Sequence, residues 1–263
     1  MNKTAVVTGG SSGIGRCTAD ALLAKGYRVY EISRHDSSRT DLRHLSADVT
    51  DEEAVKAAFV QIAQEAGSID VLVNCAGFGI SGAIEFTELD DSKRQLDVNF
   101  FGMVNTCKAV LPLMRAQGNG RIVNISSVAA PVAIPFQAFY SASKAAINAY
   151  TCALANELRP YGITVTAVQP GDIQTGFTAA RKKSVAGDDV YGGRISRSVA
   201  VMEHDEQNGM KPEAAGKYIA KIADKKRVKP LYTIGFSYKL VCVLCKLLPC
   251  GLQNRIIGKL YAK

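Results

Sequence analysis

Eight residues constrain this chain more than any others: Thr8-Gly9-Gly10-Ser11-Ser12-Gly13-Ile14-Gly15. A β-branched run, Thr4–Thr8, precedes them, and a helical pattern reaching Lys25 follows. Glycines at a strand-to-helix turn let backbone N–H groups approach a pyrophosphate, whose charge the helix N-terminus attracts. The spacing is T-G-x-x-x-G-x-G rather than G-x-G-x-x-G. A strand–turn–helix of this kind is one unit of a repeating architecture, and the rest of the chain supplies the other units.

Strand patterns at Arg28–Ile32, Leu45–Ala47, Val71–Asn74, Arg121–Ser126 and Thr164–Val168 alternate with helical ones. The helices are expected from an N-cap at 50–53, over 91–117 with Pro112 near the end, and over 140–159. Such alternation implies a parallel sheet covered on both faces. With right-handed crossovers, the expected fold is α/β: a Rossmann-type doubly wound parallel sheet in three layers. Residues 1–263 are expected to form a single dinucleotide-binding catalytic domain. Within it, 176–210 is polar and weakly patterned, which suggests a mobile, substrate-covering insertion. Residues 230–263 form a basic, apolar C-terminal tail.

The net charge of +8 is uneven. Residues 211–263 hold twelve Lys/Arg and two Asp/Glu, a balance of +10, which leaves −2 for residues 1–210. No recognition fold accompanies the basic residues, so no nucleic-acid partner is expected. No run of about 18 apolar residues occurs, and Met1-Asn2-Lys3-Thr4 leads straight into an apolar strand without the long apolar region of a secretory signal. The seven cysteines are odd in number and lie mostly in apolar segments, as in a reducing compartment. Cys242-x-x-Cys245 has no second pair or nearby histidine to complete a tetrad, so no metal is expected. The histidines, at 35, 44 and 204, form no motif with a serine and an acid, which leaves a Ser-His-Asp hydrolase unsupported.

Tyr140-Ser141-Ala142-Ser143-Lys144 places a phenol and an ammonium four residues apart on one helix face. A phenol titrates near 10, and a nearby ammonium lowers that value, which suits proton transfer to a carbonyl oxygen. Ser127, thirteen residues earlier, can hydrogen-bond a substrate oxygen. Asn99, between Val98 and Phe100, is either a packed helix kink or part of a proton relay. At the carboxyl end of the second strand stand Ser33 and Arg34. An arginine there accommodates a 2′-phosphate, whereas Glu31 lies within the strand and is not assigned to a ribose. Asp48 and Val49 follow the third strand, where an adenine edge could be met. Asn74-Cys75-Ala76-Gly77 ends the fourth, on the edge where such folds bind ligands.

Taken together, these segments resemble the short-chain dehydrogenase/reductase family over about residues 4–176. T-G-x-x-x-G-x-G, N-x-A-G, the asparagine, the serine, Y-x-x-x-K and P-G-x-I-x-T occur in order. The resemblance implies Tyr140 as general acid-base, with Lys144 lowering its pKa and holding the nicotinamide ribose. It implies Ser127 as the group that positions the substrate oxygen, and Asn99 as support for a water-linked relay. Pro170, Gly171, Ile173 and Thr175 would meet the nicotinamide carboxamide. The implied dinucleotide cradle is Gly9, Ser11, Ser12, Gly13, Ile14, Gly15, Ser33, Arg34, Asp48, Val49, Asn74, Ala76 and Gly77, with Tyr140 and Lys144, for NADPH/NADP+. Cys75 stands where the family usually has a second asparagine, with little effect expected because contacts there are mainly through the backbone.

Phe78–Glu85 with Pro135-Phe136 resembles the branch of 17β-hydroxysteroid dehydrogenases, retinol dehydrogenases and acyl-dihydroxyacetone-phosphate reductases. That implies a bulky apolar alcohol or ketone (steroid, retinoid or lipid-like), with Ala129, Ala130, Val132 and Phe136 as an apolar wall. The alternative is a non-catalytic NADP-binding regulatory protein on the same fold. A homo-dimer or homo-tetramer is expected, in the cytoplasm or associated with membrane. The tail, apolar from Phe236 to Leu252 and broken by Lys239 and Lys246, either lies on an anionic membrane surface or packs on the protein.

Overall fold

The computed structural model describes residues 3–36 and 38–262. The reading of Met1 and Asn2 as the approach to the first strand lies outside the described residues. In chain order the elements are β1 (Thr4–Thr8), α1 (Gly13–Leu23), β2 (Arg28–Ser33), β3 (Arg43–Ser46), α2 (Glu52–Ala66), β4 (Val71–Asn74), β5 (Ile80–Ser81), α3 (Leu89–Leu96), α4 (Gly102–Gln117), β6 (Gly120–Ile125), α5 (Ala138–Glu157), β7 (Ile163–Gln169), α6 (Phe177–Ala180), β8 (Lys182–Lys183), α7 (Arg194–Gln207), α8 (Pro212–Ala223), β9 (Leu231–Thr233), α9 (Phe236–Leu247) and α10 (Cys250–Tyr261).

Seven of the strands form one parallel sheet in the order β3-β2-β1-β4-β6-β7-β9. Because side chains alternate along a strand, each strand feeds two cores. Ala5 and Val7 join Leu22 of α1 and Ile219 of α8 on one face. Val6 joins Phe59 of α2 and Val110 of α4 on the other. All five residues of β1 are buried, as expected of a parallel sheet covered on both faces. The chain builds outward from β1 to β2 and β3, then reverses and builds through β4 on the other side. Such a reversal opens a crevice at the carboxyl ends of β1 and β4, where α/β sheets bind their ligands.

Three features depart from the sequence reading. The expected single helix over 91–117 is α3 and α4 joined by a widened π-helical turn, Asp97–Phe101. The segment 176–210, expected to be weakly patterned, holds α6, β8 and α7, and β8 pairs with β5 in a two-stranded ribbon. Ile195, Val199 and Met202 of α7 are buried and recur every three or four residues, a helical stripe hidden within a polar composition. Finally, the start of the tail, Leu231–Thr233, pairs with β7 as the seventh strand; three residues are too few to show a periodicity.

Candidate active site

The glycine turn is shaped by close approach. Gly9 has φ +63°, and a Cβ there would lie 2.9 Å from the backbone of Ala76. A Cβ at Gly15 would lie 2.2 Å from the Gly9 carbonyl oxygen. Thr8 Oγ1 accepts the backbone N–H groups of Cys75 and Ala76 at 3.2 and 3.3 Å, which ties the turn to the end of β4. No side chain caps α1 at Ser12, and its first turn carries no acid. The start of α1 is therefore left to attract an anion.

At the end of β2, Ser33, Arg34 and His35 line the same cleft, with Asp48 and Val49 beside them. Glu31 is fully buried, and its carboxylate lies 2.5 Å from His44 Nδ1. It packs beneath Gly10, where a Cβ would fall 2.5 Å from Glu31 Cγ. The acid nearest the turn thus faces inward, and the basic Arg34 faces the cleft. Burial acts to raise the Asp48 carboxyl, but hydrogen bonds from the Thr50 N–H and hydroxyl and the charges of Arg34 and Arg94 hold it below its ordinary value.

Tyr140 and Lys144 occupy the first turns of α5, and both line this cleft of about 720 Å³ together with Ser127. Lys144 Nζ donates to the Ile125 carbonyl at 2.9 Å and lies 5.6 Å from the Tyr140 ring centre. Ser126 Oγ donates to the Lys144 carbonyl at 3.0 Å, which joins α5 to the end of β6. Burial pushes the Lys144 ammonium down to about 8. Burial also pushes the Tyr140 phenol up to about 12, against a lowering hydrogen bond with Ser127 and the charge of Arg181. In the protein without cofactor the net direction for Tyr140 is therefore upward, whatever lowering the Lys144 ammonium contributes. Desolvation is the largest effect on the phenol, and the Lys144 ammonium is turned toward the Ile125 carbonyl.

Two expected site residues do not reach the cleft. Asn74 is buried between elements: its Nδ2 donates to Asn124 Oδ1 at 2.9 Å, and its Oδ1 accepts the Thr106 hydroxyl at 2.7 Å. Asn99 sits in the π turn behind Gly77. Its Oδ1 accepts the Phe78 N–H at 2.9 Å, and its Nδ2 donates to the Phe78 carbonyl at 3.0 Å and to Ser143 Oγ at 3.2 Å. The kink and the loop thus define each other. All the other expected cradle residues line the cleft.

The apolar wall also differs from expectation. Ala129 lines the cleft, but Ala130, Val132 and Phe136 do not. Phe136 packs instead with Ala83 and Ile195. The wall is built by Phe78, Val98, Ile134, Phe177, Met202 and Tyr261. Phe177 follows the P-G-x-I-x-T segment and lies 5.7 Å from the Tyr140 ring, centre to centre. Tyr261 comes from the far end of the chain, and no local pattern points to it.

Comparison with known proteins agrees with this geometry. Residues 3–186 match the family model described as short chain dehydrogenase. The chain is 43% identical over 241 residues to a 3-ketodihydrosphingosine reductase from Bacteroides thetaiotaomicron, covering 88% of this chain and 90% of that one. It is 33% identical to a dehydrogenase/reductase SDR family member 7B from Xenopus tropicalis, covering 93% and 81%. Among solved structures, ElxO with NADP bound superimposes with a TM-score of 0.76 at 28% identity, covering 91% of this chain and all of that one. A short-chain dehydrogenase from Streptomyces avermitilis superimposes at 0.82 with 27% identity, covering 98% and 94%.

Proposed function

The chain belongs to the short-chain dehydrogenase family and is an oxidoreductase, and from that premise we propose that it uses NADPH to reduce a ketone on a long apolar molecule. The observation that carries the reading is that the glycine turn and the set Ser127, Tyr140 and Lys144 line one continuous cleft. A non-catalytic NADP-binding regulator would need the turn but not the set, so the rival reading finds no support.

The residues present fit a dinucleotide. The uncapped start of α1 and the glycines suit a pyrophosphate, while Arg34, with Glu31 turned away into its pair with His44, suits a 2′-phosphate rather than a bare ribose. When bound, the cofactor supplies the hydride. Tyr140, kept protonated by burial, gives its phenolic proton to the carbonyl oxygen being reduced. Ser127 donates a hydrogen bond that orients that oxygen. Lys144 holds the ribose and, as an ammonium near Tyr140, steadies the phenolate left after transfer. Asn99 acts by fixing Phe78 and the loop that forms one wall. Ile173 and Thr175 hold the carboxamide.

The wall of Phe78, Val98, Ile134, Phe177, Met202 and Tyr261 supports an apolar substrate, and α6 to α7 supply its cover. The relative named 3-ketodihydrosphingosine reductase makes a long-chain ketone of that kind the first substrate to test. Substrates of this class reside in lipid, so the reading includes peripheral contact with a membrane; among the described residues no helix is long and apolar enough to cross one. The test follows NADPH oxidation, with product identified by mass spectrometry, over a series of ketones of rising chain length that ends in 3-ketodihydrosphingosine. Each buried methylene adds about 0.8 kcal/mol, so two more carbons should raise kcat/KM about tenfold until the wall is covered. Equal rates for short and long ketones would contradict the substrate class, and no turnover of any ketone would contradict the reaction.

A further inference from the structure

We propose that α9 and α10 form a docking pad for an anionic lipid surface and that this pad sets the mouth of the cleft against the bilayer. On α9 the exposed residues Phe236, Leu240, Val243, Leu244 and Leu247 recur every three or four positions and so form one outward stripe, with Phe236 85% and Leu247 74% exposed. On α10, Leu252, Ile256 and Leu260 repeat the spacing, with Leu260 60% exposed. Each helix buries a single residue, Cys242 on α9 and Ile257 on α10.

The charges choose the occupant. Lys239 and Lys246 stand two turns apart along the border of the first stripe, and Arg255 and Lys259 border the second. Asp224 is the last acid in the chain, so the pad has no negative side chain. Two copies meeting pad to pad would bring these cations together without a counter-charge, because a two-fold interface pairs a patch with itself. An anionic surface accepts both features: the apolar stripe enters the headgroup region, and the lysine stems lie along it with their ammonium groups at the phosphates.

The pad is fastened to the cleft. Tyr238 of α9 donates its hydroxyl to Asp172, and its ring lies against Gly171, where a Cβ would fall 2.2 Å from a ring carbon. Gln253 of α10 donates to the Pro131 carbonyl at 3.0 Å, Arg194 donates to the Ala262 carbonyl at 2.8 Å, and Tyr261 lines the cleft itself. α10 therefore bounds the site through Tyr261 and α9 packs on two of its lining residues, Gly171 and Asp172, so a substrate leaves the membrane directly into it. That consequence rests on the apolar-substrate reading, whereas the docking does not.

The test measures sedimentation of the full chain, without cofactor or substrate, with phosphatidylglycerol-containing vesicles and with pure phosphatidylcholine vesicles, at low and high salt. The expected result is binding to the anionic vesicles at least tenfold tighter, weakened by salt. Leu240→Glu with Leu247→Glu should abolish it, and Lys239→Glu with Lys246→Glu should reduce it more than tenfold. Both double variants should keep the wild-type melting temperature and turnover of a small soluble ketone. The leucine variant should lose more than tenfold in turnover of a vesicle-borne ketone. Absence of wild-type binding, or equal binding by all three proteins, overturns the proposal. So does a concentration-dependent dimer abolished by the leucine substitutions, which would make the pad a contact between copies. Binding without any ketone turnover would keep the pad and overturn only the catalytic reading.

Discussion

Lys144 is an expensive residue to keep. Its ammonium is nearly enclosed, pairs with no carboxylate among the described residues, and donates to the Ile125 carbonyl at 2.9 Å. Burial lowers its folded pKa to about 8, below the unfolded value, so the unfolded chain binds more protons between those two values and this group favours folding more as pH rises through that window. Below pH 8 the full desolvation cost applies, on the order of 3 kcal/mol. Lys144→Met should therefore be more stable than wild type at pH 7 by about 2–3 kcal/mol without cofactor, with the gap narrowing toward pH 10. Denaturant unfolding across that range checks it; a gap that does not depend on pH would contradict the assignment. Arg34 provides the cofactor counterpart. A hydrogen bond to a charged group contributes about 2 kcal/mol, so Arg34→Ala should weaken NADPH roughly thirtyfold and NADH little. A wild-type preference for NADH in direct titrations would contradict it.

At the scale of elements, what the sequence shows is what neighbouring residues decide. The turn after β1, the Asp51 cap of α2 and the Tyr140–Lys144 face of α5 are local patterns, and each lies where its pattern predicts. Asn99 and Asn74 are polar residues next to the cleft whose direction depends on packing from other elements, and both turn inward. The break between α3 and α4 is likewise a tertiary effect, since the Asn99 amide bonds to both backbone groups of Phe78. Asn99→Ala would leave the Phe78 N–H without its acceptor, at about 1–3 kcal/mol, while the Phe78 carbonyl keeps the Gln95 amide at 3.2 Å. The variant should lose about 1–3 kcal/mol in denaturant unfolding, together with kcat/KM, because the loosened loop forms a wall of the cleft. Wild-type stability in that variant would show that the bonds do not hold the turn.

For the whole molecule, the doubly wound order and the reversal between β1 and β4 follow from the alternation of strands and helices. The far wall of the cleft does not. Phe177, Met202 and Tyr261 come from three separate elements beyond residue 176, and they meet only because α7 and α10 fold back over the sheet edge. Their helices carry weak or mixed patterns in the sequence, while the residues that hold the cofactor end belong to short, specific segments. In the proposed reaction the cleft reduces a ketone by proton transfer from Tyr140, while the dinucleotide is held mainly by the glycine turn and Arg34. The most direct measurement pairs NADPH titration with turnover for Tyr140→Phe. The expected result is NADPH affinity within about threefold of wild type and a fall in kcat of at least about 10²-fold, within the range that a positioned general acid contributes. An unchanged kcat, or a loss of activity matched by an equal loss of NADPH binding, would contradict it.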